Sequence, residues 1–423
     1  MADDSVGRHR LSPNLIAGII LAVFAIALVV WQQPWHNDAA PHHSGTLSDS
    51  TAAANAIADQ IQRLAGATSR DEFVNAAGDS AAGRSWASRT YDNLTALGAT
   101  DISMNFISGG APDVRPNGGT QATVRVSWRP GAASGLARVA TQDSTVTFEL
   151  DRLAATTFAV HDVVPDSGTL PLWLAGRLDI VRSEGATVIS IDGGNAGQPI
   201  AEESERAHTA VSKVVTSATR RLVVISPRTE EQAAELLDQS ASAISQIAAV
   251  TTTLDGSSTA KSATMIVLNP TVFNTMDARA AQVVMSHEAT HLMTDAATSG
   301  AETWVVEGFA DYVALHDDKA SLSVSAGQIL RSVKKDGAPS HLPTSADFGT
   351  TQHGLGATYE SAWMIFRMLG ATYGDEAVLT FYNDVLHGTT TGKAAQSAFG
   401  LSIGQITSKW RAYLLVKSAS ITS

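Results

Sequence analysis

Hydrophobic positions change their spacing four times along the chain, and each change marks a different kind of element. Leu15 to Trp31 reads LIAGIILAVFAIALVVW, seventeen residues without a charge, apolar all round and long enough to span a bilayer. Asn37 to Ser50 is small and polar, the composition of a flexible linker. Between 51 and 97 the apolar residues return at helical spacing, with Ala56, Ile57, Ile61 and Leu64 in one stripe and Phe73, Trp86, Tyr91 and Leu94 in later segments. After Gly98 the period falls to two. Ile102, Met104 and Phe106 alternate with polar neighbours, as do Ala122, Val124, Val126 and Trp128, then Val146, Phe148 and Leu150, then Phe158 and Val160, which predicts a meander of four strands ending near Asp166.

A second unit begins near Leu170. Strand-like runs at Thr187 to Ile191, Leu222 to Ile225 and Met265 to Leu268 alternate with helical stretches at Glu203 to Thr219 and Glu230 to Ile247. Beyond Pro270 the spacing is helical in Arg279 to Ala296, Thr303 to Leu315, Ala357 to Leu369, Asp375 to Leu386 and Ile403 to Val416. The expected class is therefore α+β. The divisions are an arm over 1–14, an apolar anchor over 15–35, a linker over 36–50, an α+β module over 51–166 and a larger unit over 170–420. By the order of its elements alone, the module resembles the cone-shaped nuclear-transport-factor-like domains.

Arg8 and Arg10 precede the apolar run, and Trp31 and Trp35 lie at its far end. That arrangement fits a single-pass signal anchor with the N-terminus in the cytoplasm and the rest of the chain outside. A signal peptide that is cleaved, leaving a secreted protein, is the competing reading; Asp38-Ala39-Ala40 offers only a weak cleavage site. The charge balance, 29 Lys+Arg against 41 Asp+Glu for a net −12, argues against a nucleic-acid partner. Cysteine is absent. Disulfides, thiol nucleophiles and cysteine-based metal sites are thereby excluded, so any metal must be held by His and carboxylates.

The chemistry concentrates in two motifs. His287-Glu288-Ala289-Thr290-His291 is H-E-x-x-H, uninterrupted by Gly or Pro from Ala278 to Thr298; on a helix it puts two imidazoles on one face, where one Zn²⁺ can bridge them, and leaves Glu288 able to reach a water on the metal. Trp304-Val305-Val306-Glu307-Gly308-Phe309-Ala310-Asp311-Tyr312 follows. Glu307 can supply the third ligand that catalytic zinc requires, and Asp311, one turn further on, can accept the free N–H of a ligating histidine. Asp295 is a rival for that last position. The adjacent pair His42 and His43 sits in linker sequence and reads as solvated.

Together these residues resemble the gluzincin metallopeptidases, and most closely the peptidase-MA-like group, whose pattern is H-E-x-x-H followed by W-x-x-E-G-x-A-x-Y. Trp304, Glu307, Gly308, Ala310 and Tyr312 fill every position of the second half. The resemblance covers about 265–385 and implies a zincin-type fold with a small sheet and a mostly helical C-terminal part. It implies Zn²⁺ held by His287, His291 and Glu307, with Glu288 as general base and proton shuttle, Asp311 supporting the first histidine, and a peptide or protein as substrate. Fifteen residues separate His291 from Glu307, fewer than in thermolysin-like relatives, so the connection must be tight. No G-A-M-E-N motif precedes the site, which favours an endopeptidase over an aminopeptidase.

A donor for the developing oxyanion is expected beyond the third ligand. Tyr359 and His353 are the candidates, with Tyr359 as a half-buried packing residue the plain alternative. His316 reads as a cation at a helix C-terminus, and the glycine-rich stretch from Ser340 to Gly356 as either a lid or a connector. An alternative function is a non-catalytic extracytoplasmic binding or assembly protein in which zinc only staples two helices, although such a site does not require Glu288. An intramembrane protease is excluded by Ser286, Thr294 and Asp295 on the motif helix, far from the apolar run.

Overall fold

The computed structural model describes residues 47–421 apart from 113–118, 137–140, 194–196, 217–219, 257–261 and 350–353. The apolar segment 15–35 and His353 lie outside these residues. Among the described residues no helix is long and apolar enough to cross a membrane.

The first part is a helical layer on a four-stranded sheet. Helices α1 (Leu47–Gly66), α2 (Arg70–Ala76) and α3 (Ala81–Leu97) precede strands β1 (Thr100–Pro112), β2 (Thr120–Arg129), β3 (Gln142–Ala154) and β4 (Thr157–Ser167). Ser69 and Ser80 start α2 and α3 by accepting the N–H groups of Glu72 and Gly83, and Gly98, at φ 60°, closes α3 in the left-handed region. The strands form an antiparallel meander in the order β1-β2-β3-β4. Alternation along β2 buries Ala122, Val124, Val126 and Trp128, and on the helical side Trp86 meets Phe148 edge-on with ring centroids 5.8 Å apart. Gln60 donates to the carbonyls of Ala76 (3.0 Å) and Phe158 (3.1 Å), tying α1 to both layers.

The second part is built on a five-stranded sheet of β5 (Leu178–Arg182), β6 (Ala186–Ile191), β7 (Leu222–Ser226), β8 (Ala249–Thr253) and β9 (Thr264–Leu268), ordered β5-β6-β7-β9-β8. The central β6, β7 and β9 are parallel and buried throughout, as expected for strands covered on both faces, while β5 and β8 run antiparallel at the edges. Helix α4 (Gly197–Val214) crosses between β6 and β7. The stretch from Glu230 to Ile247, which reads as one helix in sequence, is two short ones, α5 (Glu230–Leu236) and α6 (Ala241–Ile244). Asp238 at φ 52° breaks the run and Ser240 caps the second piece. Edge strands β5 and β8 carry too little apolar alternation to stand out in sequence.

The remainder is helical: α7 (Pro270–Phe273), α8 (Ala278–Met293), α9 (Thr303–Ala314), α10 (Leu322–Ser325), α11 (Gly327–Asp336), α12 (Leu355–Tyr373), α13 (Asp375–Leu386), α14 (Thr391–Phe399) and α15 (Ile403–Ser420). The two parts share one core. Asn93 of α3 donates to the carbonyls of Trp173 (3.1 Å) and Gly176 (2.5 Å) and accepts from the N–H of Leu178 (3.0 Å), and Thr169 donates to the carbonyl of Leu254 (2.9 Å). Trp173 is wholly buried in the short turn between β4 and β5.

Candidate metal centre

Helix α8 lies across the sheet with nearly its whole length buried, so no exposed stripe is needed to explain its apolar residues. Asp277 caps it by accepting the N–H of Ala280 at 2.8 Å. It ends at Met293, earlier than its uninterrupted sequence suggests, because Asp295 adopts φ 57°. The carboxylate of Asp295 pairs with Arg220 and not with a motif histidine. A single 3-10 turn over 296–298 then leads into α9, which makes the short connection possible.

Helix α9 is pinned at its start by Glu302, which accepts from the Trp304 indole N–H (2.8 Å) and from the Thr391 hydroxyl. It packs directly on α12 at Gly308. A Cβ there would lie 2.7 Å from the carbonyl oxygen of Ala362 and 2.8 Å from Cδ2 of Phe366. The motif glycine therefore permits a close helix-helix approach, and that approach sets the depth of the neighbouring Glu307. Phe309 stacks on Tyr382 with centroids 3.8 Å apart. Tyr312 donates to Asp375, which His316 also meets at 3.0 Å. His316 thus belongs to the packing of α9 against α13, away from the two motif histidines.

His287, His291 and Glu307 converge. Nε2 of His287 lies 2.9 Å from Nε2 of His291 and 3.1 Å from Oε2 of Glu307, and the remaining separation, His291 Nε2 to Glu307 Oε2, is 3.5 Å. All three side chains are buried. Tetrahedral coordination with bonds of about 2.0 Å places donors roughly 3.3 Å apart, so the three atoms have the spacing of a coordination face. Nδ1 of His287 hydrogen-bonds Oδ1 of Asp311 at 2.8 Å. The neutral ring then keeps its proton on Nδ1 and turns the Nε2 lone pair toward the other two donors, an arrangement that calls for a cation among them. The other oxygen of Asp311 and Nδ1 of His291 are buried without a hydrogen-bond partner among the described residues. Two imidazole nitrogens and one carboxylate oxygen at this spacing suit a divalent metal.

The same carboxylates also favour positive charge on the ring itself, so that without a metal a proton takes the place of the cation. Burial opposes the imidazolium of His287, but Asp311 and Glu307 outweigh it and push the group up to about 10. Burial would raise Glu307, yet His291 and His287 draw it down to about 2. Glu288 is raised, chiefly by burial, against the pull of both histidines. Its Oε2 accepts the hydroxyl of Thr251 on edge strand β8 at 2.6 Å, and the same hydroxyl lies 3.0 Å from the Glu288 carbonyl. Tyr359 is 1% exposed, edge-on to Phe348 at 5.1 Å. Burial, followed by the charges of Glu307, Asp311 and Glu288, holds its hydroxyl well above the ordinary range. It is therefore deeper than a half-buried packing residue, and its hydroxyl keeps the proton that it can donate in a hydrogen bond.

Thr251 carries no motif and sits 37 residues before its partner, so only the fold could reveal it. Glu360, next to Tyr359, is also buried; it accepts the N–H of Ile329 at 2.7 Å at the start of α11, and burial raises it to about 8.

Residues 255–416 match the family model described as the Peptidase MA superfamily. No curated protein matches the chain. The paired histidines, the glutamate of the second helix and the glycine that lets that helix approach all lie within the stretch that is similar to the peptidase MA superfamily.

Proposed function

We propose that the protein is a zinc-dependent endopeptidase acting on peptides or proteins, tethered by residues 15–35 to the outer face of a cell membrane. The observation that carries the peptidase reading is the convergence of His287, His291 and Glu307 beside an intact, buried Glu288. When bound, a zinc ion would acidify a water and polarise the substrate carbonyl. Glu288, raised by burial and oriented by Thr251, accepts the proton of the attacking water and returns it to the departing amine. Asp311 holds the His287 ring with Nε2 facing inward. Tyr359, whose hydroxyl burial holds in its protonated form, offers its O–H to the developing oxyanion. The tether is supported by the uncharged run of Leu15 to Trp31 behind Arg8 and Arg10.

Two measurements on the purified full-length chain test this. Elemental analysis is expected to give one zinc per chain, lost in His287→Ala and Glu307→Ala. Digestion of a denatured protein mixture is expected to yield internal cleavages that disappear in Glu288→Gln. Zinc without any cleavage would favour a zinc-stapled binding protein instead, and absence of stoichiometric metal would overturn both.

A further inference from the structure

Helix α15 has two apolar faces and the fold uses only one. Ile406, Trp410, Leu414 and Ser418 are buried, facing the rest of the helical part. On the opposite side Ala412, Leu415, Val416 and Ala419 form a stripe at positions i, i+3, i+4 and i+7, all exposed, with Leu415 at 50% and Val416 at 67%. Lys409 and Arg411 border the stripe, and Lys417 lies over the ring of Tyr413 at 5.2 Å. Packed against α15, α11 adds exposed Arg331, Lys334 and Lys335, with Asp336 the one acid on that helix. The wider sequence repeats the bias. In a chain of net charge −12, the stretch from Val385 to Ser423 contains no Asp or Glu and carries Lys393, Lys409, Arg411 and Lys417.

We propose that this face of α15 lies on an anionic lipid surface, with Leu415 and Val416 entering the headgroup boundary and Lys409 and Arg411 meeting lipid phosphates. The inference rests on the membrane tether proposed above. Charge complementarity selects the occupant: an apolar stripe bordered by cations matches an interfacial helix on acidic lipid. A second copy of this chain, docking the same face on itself, would bring Lys409 and Arg411 against their own kind. Reach selects it too. Fifteen residues separate Trp31 from Leu47, so at about 3.5 Å per residue the described body starts within roughly 50 Å of the bilayer.

The chain lacks cysteine, which makes a single introduced thiol a clean probe. Full-length Leu415→Cys, labelled with a polarity-sensitive dye, is to be reconstituted into phosphatidylcholine vesicles with and without phosphatidylglycerol. With the anionic lipid the dye is expected to shift to the blue and to become shielded from iodide, while the same dye at Ile107→Cys, exposed on β1, stays unchanged. Adding Lys409→Glu and Arg411→Glu removes the shift while the protein still floats with the vesicles; at roughly fivefold partitioning per basic residue, a double charge reversal is ample. Floating protein whose Leu415 dye stays quenched in both lipids overturns the inference and leaves the tether standing. Protection that appears without lipid and grows with protein concentration overturns it in favour of self-association. Protein that does not float at all removes the tether and the inference together.

Discussion

Replacing Gly308 with alanine separates two physical effects of opposite sign. In an unhindered helix the change would help by up to about 1 kcal/mol, because alanine loses less backbone entropy. At Gly308 the new methyl would stand 2.7 Å from a carbonyl oxygen of α12 and 2.9 Å from the carbon that bears it. Comfortable contact begins near 3.5 Å, so the helices must part by about 0.8 Å, and backbone cannot swing aside as a side chain can. Overpacking of this kind costs about 1–3 kcal/mol. The expected net result is a loss of about 1–2 kcal/mol in denaturant unfolding, together with weaker zinc binding in a competition titration, since Glu307 is the adjacent residue. Gly404→Ala is the control: in α15 its methyl meets nothing nearer than Ser402 Oγ at 3.9 Å, and it should be neutral or slightly stabilising. Should Gly308→Ala match the wild type in both stability and zinc affinity, close helix approach is not why the motif needs glycine.

The remaining predictions concern single polar groups. Glu288→Gln should bind zinc normally yet lose about 10²–10⁴-fold in kcat, the usual worth of a positioned proton acceptor; substantial residual turnover would point to another base. Asp311→Asn should weaken zinc binding by about 10–100-fold without changing its stoichiometry, and unchanged affinity in a chelator competition would refute its support of His287. For Glu360 the folded value of about 8 lies above the ordinary 4.5, so the native state holds a proton that the unfolded chain releases between those limits. Stability from this group is complete below about pH 4.5 and falls as pH rises toward about 8, by at most about 1.4 kcal/mol per pH unit. Urea midpoints measured from pH 5 to 9 should therefore slope less in Glu360→Gln than in the wild type, and parallel curves would sink the assignment.

The motif residues were legible because metal chemistry constrains both residue type and helical spacing, and both constraints are local. His287, His291, Glu307 and Asp311 meet where their periodicity says they should. The helices and meander of the first part were likewise visible, since half-buried strands alternate plainly. What escaped is non-local or short. Thr251 reaches Glu288 from an edge strand whose Ala-Val-Thr-Thr-Thr sequence has almost no alternation. Helix α11 went unnoticed for want of a long apolar stripe, and with it the role of Glu360 at its start. The break at Asp238 follows from one left-handed residue, a conformation that no hydrophobic pattern records.

Asn93 makes three hydrogen bonds between the two parts, one of them to the carbonyl of the wholly buried Trp173. The module over 51–166 is consequently a wall of the same building rather than a neighbour on a string. Recombination that swapped it for an unrelated module would strip the amide partners from Trp173, Gly176 and Leu178 at once, so the two halves of this molecule must change in step.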